Sequence, residues 1–279
     1  MYPFIHIGPL SIGTYGILLW VACVGACWVL HRNFRRWGLD ADAISIVAVV
    51  AVSGIIGARL WHVFETPVEL WHYPAALLFS RAGFAWYGGL LAGIAALLWQ
   101  GRVYKVGRLR MLDLAAPSAA VGYGLGRMGC LISGDGDYGK PTHLPWGMAF
   151  PHGLVPTSGP FGTCVQWGWP SNCRVQPTPI YELIVALFIA WVLWRRSAPG
   201  THRPLGQITG EYLILSGVAR FLVEFIRINP RIFLGMTNAQ LASLGSIAGG
   251  IAFVVWARRH PSFPVKAEPK AAETQAQPT

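Results

Sequence analysis

The residues best equipped for chemistry in this sequence are charged ones placed where apolar segments end. Arg127 stands in "GRMGCLISGDGDYG" (126–139) with Cys130, Asp135 and Asp137, just after the greasy run "LDLAAPSAAVGYGL". Arg220, Glu224 and Arg227 stand in "GVARFLVEFIRINP", and Arg59 in "GARLWHVF". A charge at the bilayer centre costs roughly 2.5–3.5 kcal/mol on insertion scales, so such groups ordinarily face a cavity or a partner. Spacings of four and three put Arg220, Glu224 and Arg227 on one face of a helix. A guanidinium grips phosphate in bidentate fashion, so arginines that converge near a membrane surface suit an anionic lipid headgroup. Arg227, closer to the interface, reads as a structural ion pair or a snorkelling anchor. Cys130 reads either as a small residue packed in a helix end or as a reactive thiol beside Arg127. Asp135 and Asp137 either polarise a glycine-rich turn or take part in proton transfer.

The elements that must position these groups are membrane spans. Of 279 residues, 53% are hydrophobic and 12% charged, against about 25% charged in soluble domains. The net charge of +10 lies in short clusters between apolar runs, which suits loops facing anionic lipid and excludes a nucleic-acid-binding stripe. A span needs about 20 mostly apolar residues. Seven segments qualify, near 11–30, 43–64, 83–101, 112–133, 179–195, 206–228 and 236–257. The expectation is an all-α polytopic membrane protein with about seven transmembrane helices. Residues 1–260 would form one transmembrane domain with a long periplasmic loop at 134–178, and 261–279 a disordered cytoplasmic tail, its Pro/Ala/Gln-rich composition offering no core. The start of the chain lacks a basic region ahead of a short apolar run and reads as a retained span rather than a cleaved leader.

Basic clusters follow the first, third, fifth and seventh segments ("HRNFRRWG", "GRVYKVGRLR", "WRRSAPGTHRP", "WARRHP"). The positive-inside rule then puts the N-terminus in the periplasm and the C-terminus in the cytoplasm. Spans two, four and six would run outward, so Arg59, Arg127 and the Arg220/Glu224/Arg227 face are expected to meet at similar depth near the outer leaflet. The glycines of "WYGGLLAG" (86–93) and "GYGLGRMG" (122–129) allow close helix approach or a cavity-lining backbone. Of the five cysteines, Cys23 and Cys27 read as small apolar residues on one helix face. Cys164 and Cys173 share the polar 134–178 loop, where an oxidising compartment favours a disulfide between them.

Much of the chain resembles the prolipoprotein diacylglyceryl transferase family. That family's signature runs Gly-Arg, a variable residue, Gly-Asn-Phe, an aliphatic, Asn, a variable residue, Glu, two variable residues, Gly. The equivalent here runs from Gly126 and Arg127 through Gly129, Cys130, Ser133 and Asp135 to Gly139, with one extra residue before the last glycine. "IGPLSIGTYGILLW" resembles the first span, carrying Tyr15, and "GIIGARLWHVF" the second, carrying Arg59. "WYGGLLAG" resembles a His-Gly-Gly segment, with Tyr87 for the His ahead of Gly88 and Gly89. "QPTPIYE" resembles the segment ending in Tyr181 and Glu182, with Gln176 for a His. "ARFLVEFIR" is similar to the family's Arg-Phe…Glu-Phe-Phe-Arg segment.

The resemblance implies an inner-membrane enzyme that moves the diacylglyceryl group of phosphatidylglycerol onto the lipobox cysteine of a preprolipoprotein. The products would be a thioether and glycerol phosphate, with no cofactor or metal. It implies catalytic roles for Arg127 and Arg220 on the leaving phosphate, and for Glu224 in holding Arg220 or accepting a proton. Tyr15, Arg59, Gly88, Gly89, Cys130, Gly139, Tyr181 and Glu182 would belong to the substrate site. The base that activates the acceptor thiol stays open among Tyr87, Asp135, Asp137 and Glu224. Two other readings keep the lipid site: a transferase with a different acceptor, and a non-catalytic phospholipid-binding relative. A transporter fits worst, since no repeated halves are evident.

Overall fold

The computed structural model describes residues 3–8, 10–66 and 85–264. Expectations for "ETPVELWHYP" beyond Thr66, the first residues of the third span and most of the tail (265–279) lie outside the described residues. The element order is β1 (Phe4–Ile7), β2 (Leu10–Gly13), α1 (Thr14–Trp37), α2 (Ala43–Glu65), α3 (Trp86–Val103) and α4 (Arg108–Ser133). It continues with β3 (Pro141–Thr142), α5 (Thr163–Gln166), β4 (Arg174–Val175), α6 (Thr178–Arg196), α7 (Gln207–Val223) and α8 (Asn238–Arg259).

The chain is mostly helical, as the apolar segments require: without water, only a helix satisfies every backbone group within one segment. Among the described residues, four helices, α1, α2, α6 and α8, are long and apolar enough to cross a membrane. The other three expected segments are helical too, but α3 and α4 are diluted by glycine and polar groups and α7 has 17 residues. Helix ends follow local chemistry. Gly38 closes α1 in the left-handed region at φ 67°, Asp42 caps α2 by accepting from the Ile44 amide at 2.9 Å, and Thr237 and Gln240 form a capping box on α8.

Two features correct the sequence reading. The all-α expectation misses two short antiparallel pairs: β1–β2, registered Phe4 to Gly13, and β3–β4, registered Pro141 to Val175. Segments of four and two residues are too short to display a period of two. The first span therefore begins at Thr14, not near residue 11. The second correction is at α7, which ends at Val223 with Glu224 as its cap, where the apolar pattern runs on to 228.

Close packing is set by small residues. A Cβ on Gly88 would lie 2.3 Å from the Gly57 carbonyl oxygen, and one on Gly57 2.5 Å from that of Gly88, so α2 and α3 cross backbone to backbone. Helix α4 is central, packing on α1, α3, α6 and α7, while α7 pairs with α8. One buried cluster joins Phe34, Trp37, Ile46 and Met111 where α1 and α2 meet the start of α4. Another joins Ala120, Ile189, Leu193 and Ile208 between α4, α6 and α7.

A third cluster lies mostly in 134–178, around Tyr138, Phe150, Val175 and a Cys164–Cys173 disulfide, and takes in Leu131 of α4. This loop is an ordered cap on the end of α4. Gly134 (φ 61°) ends the helix against Gly153, whose Cα would sit 2.7 Å from a Cβ there, and Val155 donates its amide to the Gly134 carbonyl at 2.8 Å. The outward surfaces of the helices stay apolar, with Trp20, Ile44 and Phe64 more than two-thirds exposed. In lipid that exposure carries no hydrophobic cost, and the chain is read as a membrane protein.

Candidate active site

The site grows from α6. Thr178 and Pro179 start this helix, and the Thr178 hydroxyl donates to the Asp137 carbonyl at 2.6 Å, tying its N-terminus to the cap. One turn on, Glu182 is buried with 4% of its side chain accessible, where the partial positive charge of the helix N-terminus favours a carboxylate. Three guanidinium groups converge on it. Arg127 of α4 donates through Nε at 2.7 Å and through Nη2, Arg220 of α7 through Nη1 at 2.8 Å, and Arg227 through Nη1 at 3.4 Å. The Tyr123 hydroxyl donates to the same carboxylate at 2.6 Å.

Two further carboxylates complete the network. Asp137 accepts from Arg127 at 2.6 Å and from Arg227. Glu224, fully buried, lies 3.3 Å from Arg220 and 3.6 Å from Arg227, and accepts from the Asn229 amide. Three cations thus meet three anions, and the assembly is neutral. Access remains at its rim: 27% of the Arg220 side chain and 32% of the Asp137 side chain are exposed, against 3% for Arg227.

Arg227 reaches this network by a route that helical spacing does not describe. Since α7 stops at Val223, Arg227 is not on its face. It is delivered by a turn and by a backbone bridge to Gly139, flanked by the Lys140 amide donating to the Ile226 carbonyl at 2.8 Å. A Cβ on Gly139 would lie 2.6 Å from the Ile226 carbonyl oxygen, so only glycine lets these strands meet. Of the two readings of Arg227, the structural ion pair holds and the snorkelling anchor is corrected: it is buried and bonded to both Asp137 and Glu182.

Burial acts to raise the Asp137 carboxyl, but Arg127 and Arg227 outweigh it and hold it down to about 2. Asp135 goes the other way, raised first by burial and then by neighbouring Asp137, while its Oδ1 accepts the Asp137 amide at 3.2 Å. Cys130 is buried on the last turn of α4, with its Sγ 3.5 Å from Arg127 Nη1. Ligand atoms of Cys130, Asp135 and Asp137 lie within 4.8 Å of one another. A cation there would face the two guanidiniums that already hold Asp137.

The remaining sequence-derived residues distribute between this network and the α2–α3 pair. Tyr15, in the first turn of α1, lays its ring on Gly129, where a Cβ would sit 3.0 Å from Cδ2. Tyr181 accepts from the Trp146 indole at 2.7 Å, linking the cap to the start of α6. Arg59 is half-buried on α2, and Gly88 and Gly89 lie in the α2–α3 crossing. Tyr87 is exposed in the first turn of α3, edge-on to Trp86. Tyr123 and Thr178 were not singled out from the sequence. The spacing of Tyr123 four residues before Arg127 was a usable signal, since it places both on one face.

Comparison with known proteins places the chain in a family. Residues 3–256 match the prolipoprotein diacylglyceryl transferase family. The chain is 33% identical over 289 residues to the phosphatidylglycerol–prolipoprotein diacylglyceryl transferase of Stenotrophomonas maltophilia, covering 96% of both chains. It is 32% identical over 248 residues to that of Clostridium tetani, covering 87% of this chain and 92% of the relative. With the Pseudomonas aeruginosa transferase it shares 31% identity over 282 residues and 95% of both chains. The chain belongs to the prolipoprotein diacylglyceryl transferase family.

Proposed function

We propose that this protein transfers the diacylglyceryl group of phosphatidylglycerol to the lipobox cysteine of preprolipoproteins in the bacterial inner membrane. Residues 1–260 act as one domain of seven spans, with the N-terminus and the 134–178 cap in the periplasm and the 261–279 tail in the cytoplasm. The observation that carries this reading is the convergence of Arg127 and Arg220, from two helices, on the buried Glu182 carboxylate, with Arg220 still 27% exposed at the rim. The family's name and the apolar, outward-facing helices support it.

In the reaction the acceptor sulfur attacks the lipid's glycerol carbon that bears the phosphate ester. A sulfur–carbon bond forms, the carbon–oxygen bond breaks, and glycerol phosphate leaves with the electron pair. No atom changes oxidation state in a way that needs an external electron carrier. Arg127 and Arg220 stabilise charge as it grows on the departing phosphate, in a site already organised by Glu182. Glu224 holds Arg220, and Glu182 orients both arginines. Tyr15, Arg59, Cys130, Gly139, Tyr181 and the Tyr87–Gly88–Gly89 segment line the approach for lipid and peptide. An acceptor thiol with reference pKa near 8.5 needs only modest help to ionise, and Asp135, with its raised affinity for a proton, is one acceptor for it.

The test is direct. Purified protein with phosphatidylglycerol and a lipobox peptide yields a thioether-linked product by mass spectrometry, and Arg127→Ala or Arg220→Ala lowers the rate by at least ~10²-fold, as for loss of one transition-state donor. Full product formation by both variants would remove the arginines from the reaction.

A further inference from the structure

The end of α4, α6 and α7 opposite Arg127 carries a second set of arginines with a different balance. A cavity of about 180 Å³ opens there, lined by Trp37, Arg110, Asp113, Arg196, Thr201 and Arg203 among others. Its cations come from three segments: the first turn of α4, the last turn of α6 and the connection into α7. Arg196 is bound to Glu211 by two hydrogen bonds of 2.6 Å, and Arg203 reaches the same carboxylate at 3.5 Å. Asp113 is directed at the start of α7 rather than at these arginines: its Oδ2 accepts from the Gly206 amide and its Oδ1 from the Thr209 amide and hydroxyl. Three guanidiniums therefore meet two carboxylates that are already engaged.

The surplus is visible in individual atoms. Nε and Nη2 of Arg110 and Nε of Arg203 are buried and have no hydrogen-bond acceptor among the described residues. Arg110 is held in place by stacking its guanidinium 5.0 Å from the Trp37 ring, and Trp37 is itself fixed by donating to the Ser197 carbonyl at 3.0 Å. Arg36 borders the same corner through Ser197 Oγ at 2.7 Å and has a buried Nε without an acceptor as well. Buried N–H groups left without acceptors are rare in native proteins and call for a partner. The partner that supplies several acceptors and negative charge to an arginine fork is a phosphate.

We propose that this cavity is a second anion site, binding the phosphate of a membrane lipid headgroup or of a soluble phosphate ester, apart from the reacting lipid at Arg127. The apolar lining from Leu205, Ile208 and Phe263 suits the carbon substituents of such an ester. Basic recesses between helices at a membrane surface are a recognised setting for lipid headgroups.

The full chain in a neutral detergent is titrated with inorganic phosphate at constant ionic strength, following hydrogen–deuterium exchange over 197–209. At ten times Kd, local opening slows about tenfold. The paired change Arg110→Gln with Arg203→Gln abolishes this protection, and Thr201→Glu, an exposed position at the cavity, does so by placing a competing carboxylate without emptying the interior. Protection by inorganic phosphate assigns a soluble source. Protection in phosphatidylglycerol nanodiscs but not in phosphatidylcholine nanodiscs, with none from phosphate, assigns a headgroup. Equal protection in wild type and Thr201→Glu, or none from either probe, overturns the site. Neither variant touches the Arg127 network, so transferase activity is a separate readout.

Discussion

The two ends of α4, α6 and α7 use the same residue type for different ends. At one, Arg127, Arg220 and Arg227 are met by equal numbers of carboxylates from Glu182, Asp137 and Glu224, with Arg227 Nε the buried N–H there that lacks a hydrogen-bond acceptor. At the other, Arg196 and Arg203 share Glu211, and Arg110 has buried N–H groups left without an acceptor. A neutral, interlocked cluster is rigid and holds its donors in place without ligand, which suits a site that must stabilise charge developing during a reaction. A cluster short of acids draws an anion to complete it. The difference lies in how many carboxylates the neighbouring segments supply, not in the arginines.

The largest expected effect separates the two ends directly. Glu182→Ala strips a carboxylate that is 4% exposed from three guanidiniums and a tyrosine hydroxyl. Breaking a buried ionic network from one side costs about 3–5 kcal/mol. Glu211→Ala removes a 12%-exposed carboxylate from Arg196 and Arg203, which are 38% and 27% exposed and so can turn their charge to water; the loss is smaller, nearer about 1 kcal/mol. Thermal unfolding of the two variants in the same detergent measures the contrast. Equal losses would mean that the two clusters are not organised differently.

Much of the first cluster is legible in the sequence, and the second is not, for physical reasons. Arg127, Arg220 and Glu224 announce themselves because a charge inside an apolar run is costly and therefore rare. Glu182 is also inside a span, yet its role as the hub depends on Arg127 and Arg220, 55 and 38 residues away. Arg227 misleads because helical spacing was extended past Val223, where the chain in fact turns to bridge with Gly139. Arg110, Arg196 and Arg203 stand among many cations at the ends of apolar segments, where basic residues are the rule. Nothing local distinguishes them from ordinary topology signals; only the cavity and the unpaired N–H groups do.

Acid sharpens the comparison at the Arg127 end. Asp137 titrates at about 2 in the folded protein, below the ordinary carboxylate value of 3.8. Its folded-state value is depressed, so its contribution is fully present above the unfolded value and is lost as pH falls from there through about 2. Stability against denaturant therefore falls between about pH 4 and pH 2, and Asp137→Asn flattens that limb of the profile while lowering stability at neutral pH. A profile unchanged by the substitution would show that Asp137 is not held by Arg127 and Arg227.

The smallest effect concerns the departure that is most conspicuous in the sequence. Cys130 stands where the family signature has Asn, and its Sγ occupies the position 3.5 Å from Arg127 Nη1. An asparagine side-chain oxygen placed there can accept from the same donor, adding one hydrogen bond to a guanidinium already held by Glu182 and Asp137. A further bond to a charged group contributes about 1.5–3 kcal/mol when it is unopposed. Here it competes with two shorter bonds, so Cys130→Asn changes the transfer rate by less than ~10-fold, equivalent to about 1.4 kcal/mol. Rates for the purified variant and wild type on the same lipobox peptide decide the matter. A gain well beyond tenfold would mean that Arg127 is poorly positioned in this chain, and that the pairing with Glu182 and Asp137 does not by itself organise the site.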